Sequence, residues 1–313
     1  MLNDGLLVGM SSVTEWVAVS YGALDVRGRE DFEGSPEILV LPVFPAGNPV
    51  GLSGDVAEFW RCFVGAPVPD TELSEGEREL VEEFVAFGIV SSDPGHPARI
   101  REVPEPWLHS PMHELVNSLV ISVARDAGID ILMIKGPALA MQGLREKKHS
   151  GDVDVWVEPG KVDLLGERLV AWGWTLLPTV WNGTRVEHSS TLNCGSWGCQ
   201  IDAHHFFPGV GVTEEEAFAL LGDQREPVRF ASVEGWVAGK RAHAVISALH
   251  TLRPTFREQP PQVVLARATA TLLEAGDEVI DVARRFGSAA PPRRGAARRL
   301  SRSKDPGTGS EPR

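Results

Sequence analysis

Two carboxylates alternate with valines in Asp152-Val153-Asp154-Val155-Trp156-Val157. In a β-strand, residues two apart share a face, so Asp152 and Asp154 project together while the valines pack on the other side. Ionising two neighbouring carboxylates with no cation between them is unfavourable. A hard divalent ion, Mg²⁺ or Mn²⁺, removes that conflict, and Mg²⁺ commonly takes one or two carboxylates and completes its shell with substrate phosphates. An Asp-x-Asp alone is equally what a polar strand face looks like, so its surroundings decide. Upstream, Ile131-Leu132-Met133-Ile134-Lys135-Gly136-Pro137 reads as a buried strand, a Lys-Gly turn and a helix start. A glycine there lets backbone amides approach an anion, which makes Lys135 and Gly136 candidate phosphate contacts. Downstream, Gln200-Ile201-Asp202-Ala203-His204 places a third acid on another strand.

The elements that must hold these residues fall into two parts. Glu37 to Phe44, broken by Pro42, suggests an edge strand. Ser53 is placed to cap a helix over 55–64, with Val56, Phe59, Trp60 and Phe63 on one face. Ser74 and Glu77 have capping-box spacing ahead of an acidic helix that buries Leu80, Val81, Phe84 and Val85, and Ile89-Val90 starts a short strand. Five prolines at 94, 97, 104, 106 and 111 mark a linker. Ser110 then caps a helix with Pro111 in its first turn. From there strands and helices alternate: a strand over 130–135, a short helix over 137–145, the Asp-x-Asp strand, a helix from Pro159 to Trp172, strands near 174–177, 184–188 and 198–207, a Thr213/Glu216 capping box, and helices near 240–252 and 262–286. The fold class is α+β, and the organisation reads as residues 1–95, a Pro-rich linker 96–109, a catalytic-type domain 110–287 and a disordered basic tail 288–313.

Strand-Gly-helix, an acid pair on a strand and a lone acid on a later strand resemble the DNA polymerase beta type nucleotidyltransferase superfamily. More closely, Met133 to Ala140, Asp152-Val153-Asp154-Val155 and Ile201-Asp202-Ala203-His204 resemble an uncharacterised bacterial branch of it. That branch has a Lys-Gly-x-x-L turn, an Arg four residues before Asp-Ile-Asp, and a later Asp/Glu-Leu-His. The resemblance implies a mixed-sheet nucleotidyltransferase domain with C-terminal helices. It also implies transfer of a nucleoside monophosphate from a nucleoside triphosphate to a hydroxyl acceptor, with paired divalent ions stabilising the attacking and leaving oxygens. It makes Asp152, Asp154 and Asp202 the metal and catalytic residues, with Asp202 a candidate to activate the acceptor. Lys135, Gly136 and Lys148 become the nucleotide-binding residues. Two departures bear on phosphate affinity: Lys148 stands where the branch has Arg, which loses the bidentate fork, and Pro137 removes an amide donor from the turn. Leu52 to Val90 resembles the PqqD-like, winged-helix-type fold, which implies a precursor peptide bound as an added strand and a role in modifying a ribosomally made peptide. The alternative is a non-catalytic nucleotide- or peptide-binding module that keeps the fold.

Composition narrows the partners. The chain carries 43 acidic against 30 basic residues, a net −13, which disfavours nucleic acid and anionic membranes. The charge is uneven: the segment from Ser288 to Arg313 is +5, leaving −18 on the rest. No run of ~18 apolar residues signals a membrane helix, and the first residues lack a basic secretory n-region. With three cysteines and no disulfide framework, a cytoplasmic location is expected. Cys194-x4-Cys199 with His188, His204 and His205 nearby offers a rival zinc set, and the absence of a Gly-x-Ser-x-Gly elbow argues against serine hydrolysis.

Overall fold

The structure is a computed structural model that describes residues 13–29, 36–45, 47–147, 151–178, 188–252 and 262–288. The N-terminal elements run β1 (Glu15–Ala18), β2 (Gly22–Asp25), β3 (Ile38–Leu41), β4 (Val50–Leu52), α1 (Gly54–Arg61), β5 (Val68–Pro69), α2 (Glu75–Ala86) and β6 (Val90–Ser91). They form two small sheets, β5-β1-β6 and β2-β3-β4. Trp60, Phe63, Phe84 and Ile89 fill the core beneath them with Ile38 and Val40, and Trp60 donates its indole N–H to the Ile89 carbonyl at 3.0 Å. The capping box at α2 is complete: Glu77 accepts the Ser74 amide at 2.7 Å and donates its own amide to the Ser74 hydroxyl. Two expectations need correction. Ser53 stands at the α1 N-cap but makes no capping hydrogen bond. β3 is the middle strand of its sheet, not an edge; Pro42 falls one residue beyond it and so removes no ladder bond.

α3 (Pro111–Asp126) joins this part to the larger sheet. Ser110 caps it through the His113 amide, with Pro111 in the first turn. Its residues from Pro111 to Ala124 are buried except Met112, because it lies between two sheets. Leu115, Leu119 and Val123 share one core with Leu24, Leu39 and Leu41 on one side and Val153, Val155 and Ile201 on the other.

The remaining elements are β7 (Ile131–Ile134), α4 (Gly136–Met141), β8 (Asp152–Val157), α5 (Val162–Val170), β9 (Thr175–Leu176), β10 (Ser189–Cys194), β11 (Cys199–His204), α6 (Glu214–Gly222), β12 (Glu226–Phe230), β13 (Val233–Val237), α7 (Lys240–Leu252), α8 (Gln262–Glu274) and α9 (Val279–Arg285). Seven strands form one mixed sheet in the order β12-β13-β7-β8-β11-β10-β9. β8 sits in the middle, antiparallel to β7 and parallel to β11. The face carrying Val153, Val155 and Val157 packs on α3 and α5. The opposite face carries Leu132, Ile134 and Trp156 against Phe207, Val245 and Phe286.

The expected helix over 262–286 is two helices, α8 and α9, separated at Gly276, whose φ of 87° no helix accommodates. Sequence reading also passes over the β12–β13 hairpin. Its two-residue turn is Ala231-Ser232, both at positive φ (46° and 71°), where such turns favour Asn-Gly or Asp-Gly. Tertiary bonds hold it there. Buried Glu114 accepts the amides of Leu108 at 2.7 Å and Ala231 at 3.2 Å, and the Ala231 carbonyl accepts the Ala23 amide at 2.8 Å. Burial raises the Glu114 pKa against the pull of those amides. The expected strand at 184–188 falls, but for its last residue, outside the described residues; so does the basic tail beyond Ser288.

Glu114 therefore ties the linker, α3 and the hairpin turn together. Glu114→Ala strands two buried amides and is expected to lower unfolding free energy by about 2–4 kcal/mol; Glu114→Gln, which keeps one acceptor, should lose roughly half as much. Urea denaturation of both variants measures this, and equal stability of all three proteins would remove the clasp from the account.

Candidate active site

β8 and β11 run parallel with Asp154 directly opposite Asp202 and Trp156 opposite His204. Asp152, Asp154, Asp202 and His204 therefore share one sheet face by register alone. β7 ends beside them: Ile134 pairs with Asp154, so the next residue, Lys135, turns over the acids. The turn brings the Lys135 ammonium to Asp154 Oδ1 at 2.6 Å.

Asp154 is the centre of the arrangement. It is 9% exposed and its Oδ1 receives a second donor, His204 Nε2, at 3.0 Å. Burial alone would push its pKa up; the His204 and Lys135 donors outweigh it and hold the carboxyl below its usual range. Since Asp154 is ionised, His204 must present N–H from Nε2, and its Nδ1 carries the lone pair. That Nδ1 is buried with no hydrogen-bond partner among the described residues, which suits a bare lone pair better than an unmet N–H. Burial depresses the His204 pKa to about 4, the Asp154 bond opposing it. The ring stacks on Phe207 with centroids 4.8 Å apart.

Asp202 is fixed in the same manner, through the Thr191 hydroxyl donating to its Oδ1 at 2.6 Å. Each of these two carboxylates thus has one oxygen held by the protein, and among the described residues no hydrogen bond reaches the other. Asp154, Asp202 and His204 offer ligand atoms that all lie within 4.8 Å of one another. Asp152 stands at the exposed mouth of the strand, and its pKa is raised by partial burial and then by the charges of Asp202 and Asp154. The buried His113 ring donates Nε2–H to the Asp152 backbone carbonyl at 3.2 Å, steadying the start of β8. Among the described residues, Asp152, Asp154 and Asp202 gather around the Lys135 ammonium, a concentration of carboxylates of the kind that attracts a cation.

Behind the acids lies a buried relay. The Lys135 amide donates to His243 Nε2 at 2.7 Å. His243 Nδ1–H donates to Gln142 Oε1 at 2.6 Å, and Gln142 Nε2 donates to the Ala238 carbonyl at 2.8 Å. Lys135 itself has φ 53° and ψ −149°, a conformation costing a non-glycine residue about 1–3 kcal/mol. The relay holds it there. Burial depresses His243 to about 3, with Arg145 adding to the effect. Arg145 sits within the field of both Asp154 and Arg267, and burial and then Arg267 lower its pKa.

The structure thus brings Asp152, Asp154, Asp202 and Lys135 onto one face. Gly136 is buried beneath the turn at φ 30°, and Lys148 lies outside the described residues. Sequence reading gave His204 no more than the role of a polar neighbour of Asp202, although its i+2 spacing from that residue already placed it on the acid face. His243, Gln142 and Thr191 gave no signal; the first two are 101 residues apart. Among the described residues the group that gathers ligand atoms is Asp154, Asp202 and His204, without either cysteine. Cys194 and Cys199 pair across β10 and β11, burial pushes the Cys199 thiol up to about 12, and His205 is bonded to Glu214.

No family model matches the sequence, and no curated protein does. Among solved structures, the antibiotic-resistance factor ANT(2'')-Ia matches at 11% identity and a TM-score of 0.38, over 62% of this chain and 97% of that one. An antigenic nucleotidyltransferase-like protein from Paracoccidioides brasiliensis matches at 10% identity and 0.35, over 58% and 94%. A tRNA nucleotidyltransferase complexed with a primer tRNA and an ATP analogue matches at 14% and 0.25, over 54% and 60%. All three are nucleotidyltransferases or described as like one. Among the described residues no helix is long and apolar enough to cross a membrane.

His243 gives this site a pH signature. Its folded pKa is below the unfolded value near 6.5, so the unfolded chain binds the extra proton and stability falls as pH drops from about 6.5 toward 3. His243→Asn is expected to flatten the plot of unfolding free energy against pH between 6 and 4 by up to about 1.4 kcal/mol per pH unit. Urea titrations at pH 6, 5 and 4 report it; identical slopes would mean that His243 is not held neutral.

Proposed function

We propose that the chain is a divalent-metal-dependent nucleotidyltransferase, moving a nucleoside monophosphate from a nucleoside triphosphate to a hydroxyl acceptor. One observation carries the reading. Asp154 and Asp202 face each other across parallel strands, each with one oxygen immobilised by protein donors and the other left for a cation. Asp152 is close enough for their charges to raise its pKa. Hard oxygen donors of this kind suit Mg²⁺ or Mn²⁺. Asp152, Asp154 and Asp202 would hold the ion, which when bound neutralises charge on phosphate oxygens and on an attacking oxygen. His204 keeps Asp154 ionised and oriented. Asp202, anchored by Thr191, is the candidate to take the proton of the acceptor hydroxyl. Lys135, Gly136 and Lys148 are assigned to the nucleotide, and Arg145 with Arg267, like charges within one another's field near Asp154, would meet its triphosphate. Acceptor chemistry belongs to the N-terminal part: if residues 1–95 act as a PqqD-like unit, a precursor peptide is the acceptor or its carrier.

A second reading has its own support. The Lys135–Asp154 pair already neutralises the central carboxylate without a metal, as a non-catalytic nucleotide-binding module would require. Thermal shift with each of the four triphosphates, with and without Mg²⁺, tests binding. A Mg²⁺-dependent stabilisation of about 2–3 kcal/mol at a hundredfold excess over Kd is expected, lost in Asp202→Asn and in Asp154→Asn. Release of pyrophosphate then separates transferase from module. No Mg²⁺-dependent shift, or one unaffected by both variants, would sink the reading.

A further inference from the structure

We infer that Lys135 is a built-in cation that takes the place of one of the two metal ions a two-ion transfer site would use, so that this site binds a single divalent ion. The inference rests on the metal-dependent reading above and specifies it.

Two ions held side by side by three carboxylates need one carboxylate to give an oxygen to each. Asp154, buried between β7 and β11, is the more rigidly held of the two β8 carboxylates that could do so. Its Oδ1 is already filled: the Lys135 ammonium lies at 2.6 Å and His204 Nε2 at 3.0 Å on that same atom. One oxygen of Asp154 and one of Asp202 are left beside the Asp152 carboxylate, so Asp154 cannot give an oxygen to each of two ions.

Lys135 is also held as a fixed part would be. Its side chain is 12% exposed, and its ammonium lies 5.3 Å from the centroid of the Phe207 ring, a cation–π contact. Its backbone is kept in a sparsely populated conformation by the His243–Gln142–Ala238 relay. A lysine merely serving solubility or surface charge needs none of this. An ammonium has three N–H donors; with one spent on Asp154, the others can meet a phosphate oxygen, the task the replaced ion would have had.

The test is the number of Mn²⁺ ions bound by the full-length chain, read from loss of the free Mn²⁺ signal in electron paramagnetic resonance. The wild type is expected to take up one ion. Lys135→Met, which frees Asp154 Oδ1 and removes the ammonium, is expected to take up two. Lys135→Arg, which keeps the charge, should stay at one and guards against a variant that fails by misfolding. Two ions in the wild type, or one in a folded Lys135→Met, overturn the inference while leaving the transferase reading in place. No Mn²⁺ uptake by the wild type, together with no Mg²⁺-dependent nucleotide shift, overturns both.

Discussion

An ionised carboxylate buried in the middle strand of a sheet survives only where donors replace the water it has lost. Asp154 is that carboxylate, and the local structure can be read as the arrangement that supplies its donors. β7 ends opposite it so that Lys135 can turn back over it. β11 runs parallel beside it so that His204, two residues past Asp202, reaches the same oxygen. His204 stays a neutral donor because burial outweighs the charge beside it. The strained Lys135 backbone is tolerable because α7 delivers the buried imidazole of His243 to its N–H, and Gln142, just after α4, fixes that imidazole.

The same construction explains why the site has a polarity. The valine face of β8 belongs to the core built on α3, and the aspartate face looks toward the helices that carry His243 and Arg267. The acids lie on the sheet, and Arg145 and Arg267 lie near Asp154, so opposite charges meet at this face. A metal–nucleotide complex, cationic at one end and anionic at the other, is complementary to that arrangement. The N-terminal part is not loosely attached to this machinery: α3 is packed on both sides, and the Ala231-Ser232 turn of the large sheet bonds directly to β2.

Much of the acid face was legible because it depends on period-two geometry. Asp152/Asp154 and Asp202 announce themselves in strands whose other face is Val, Ile and Ala, and the two capping boxes and the Ser110-Pro111 start mark three helices. What escaped reading depends on distant chain segments. The α8–α9 break rests on one glycine inside a continuous apolar pattern. The Ala231-Ser232 turn lacks the Gly, Asn or Asp that positive φ favours, and bonds from Glu114 and Ala23, both more than a hundred residues away, hold it. His243 and Gln142 look like ordinary helix residues until α7 and α4 are placed together. The Lys-Gly turn offered Lys135 as a candidate phosphate contact; that its ammonium would be committed to Asp154 follows from strand register, which no local pattern encodes.

The central claim is that a divalent ion enters between Asp154 and Asp202, beside His204. Paramagnetic broadening tests it most directly: Mn²⁺ is added in substoichiometric amounts to protein labelled in its histidine rings, and the nine histidines act as reporters across the molecule. The account predicts that the His204 ring signals broaden first, and that those of His96, in the N-terminal part, persist. Uniform broadening of exposed histidines with His204 untouched would contradict it.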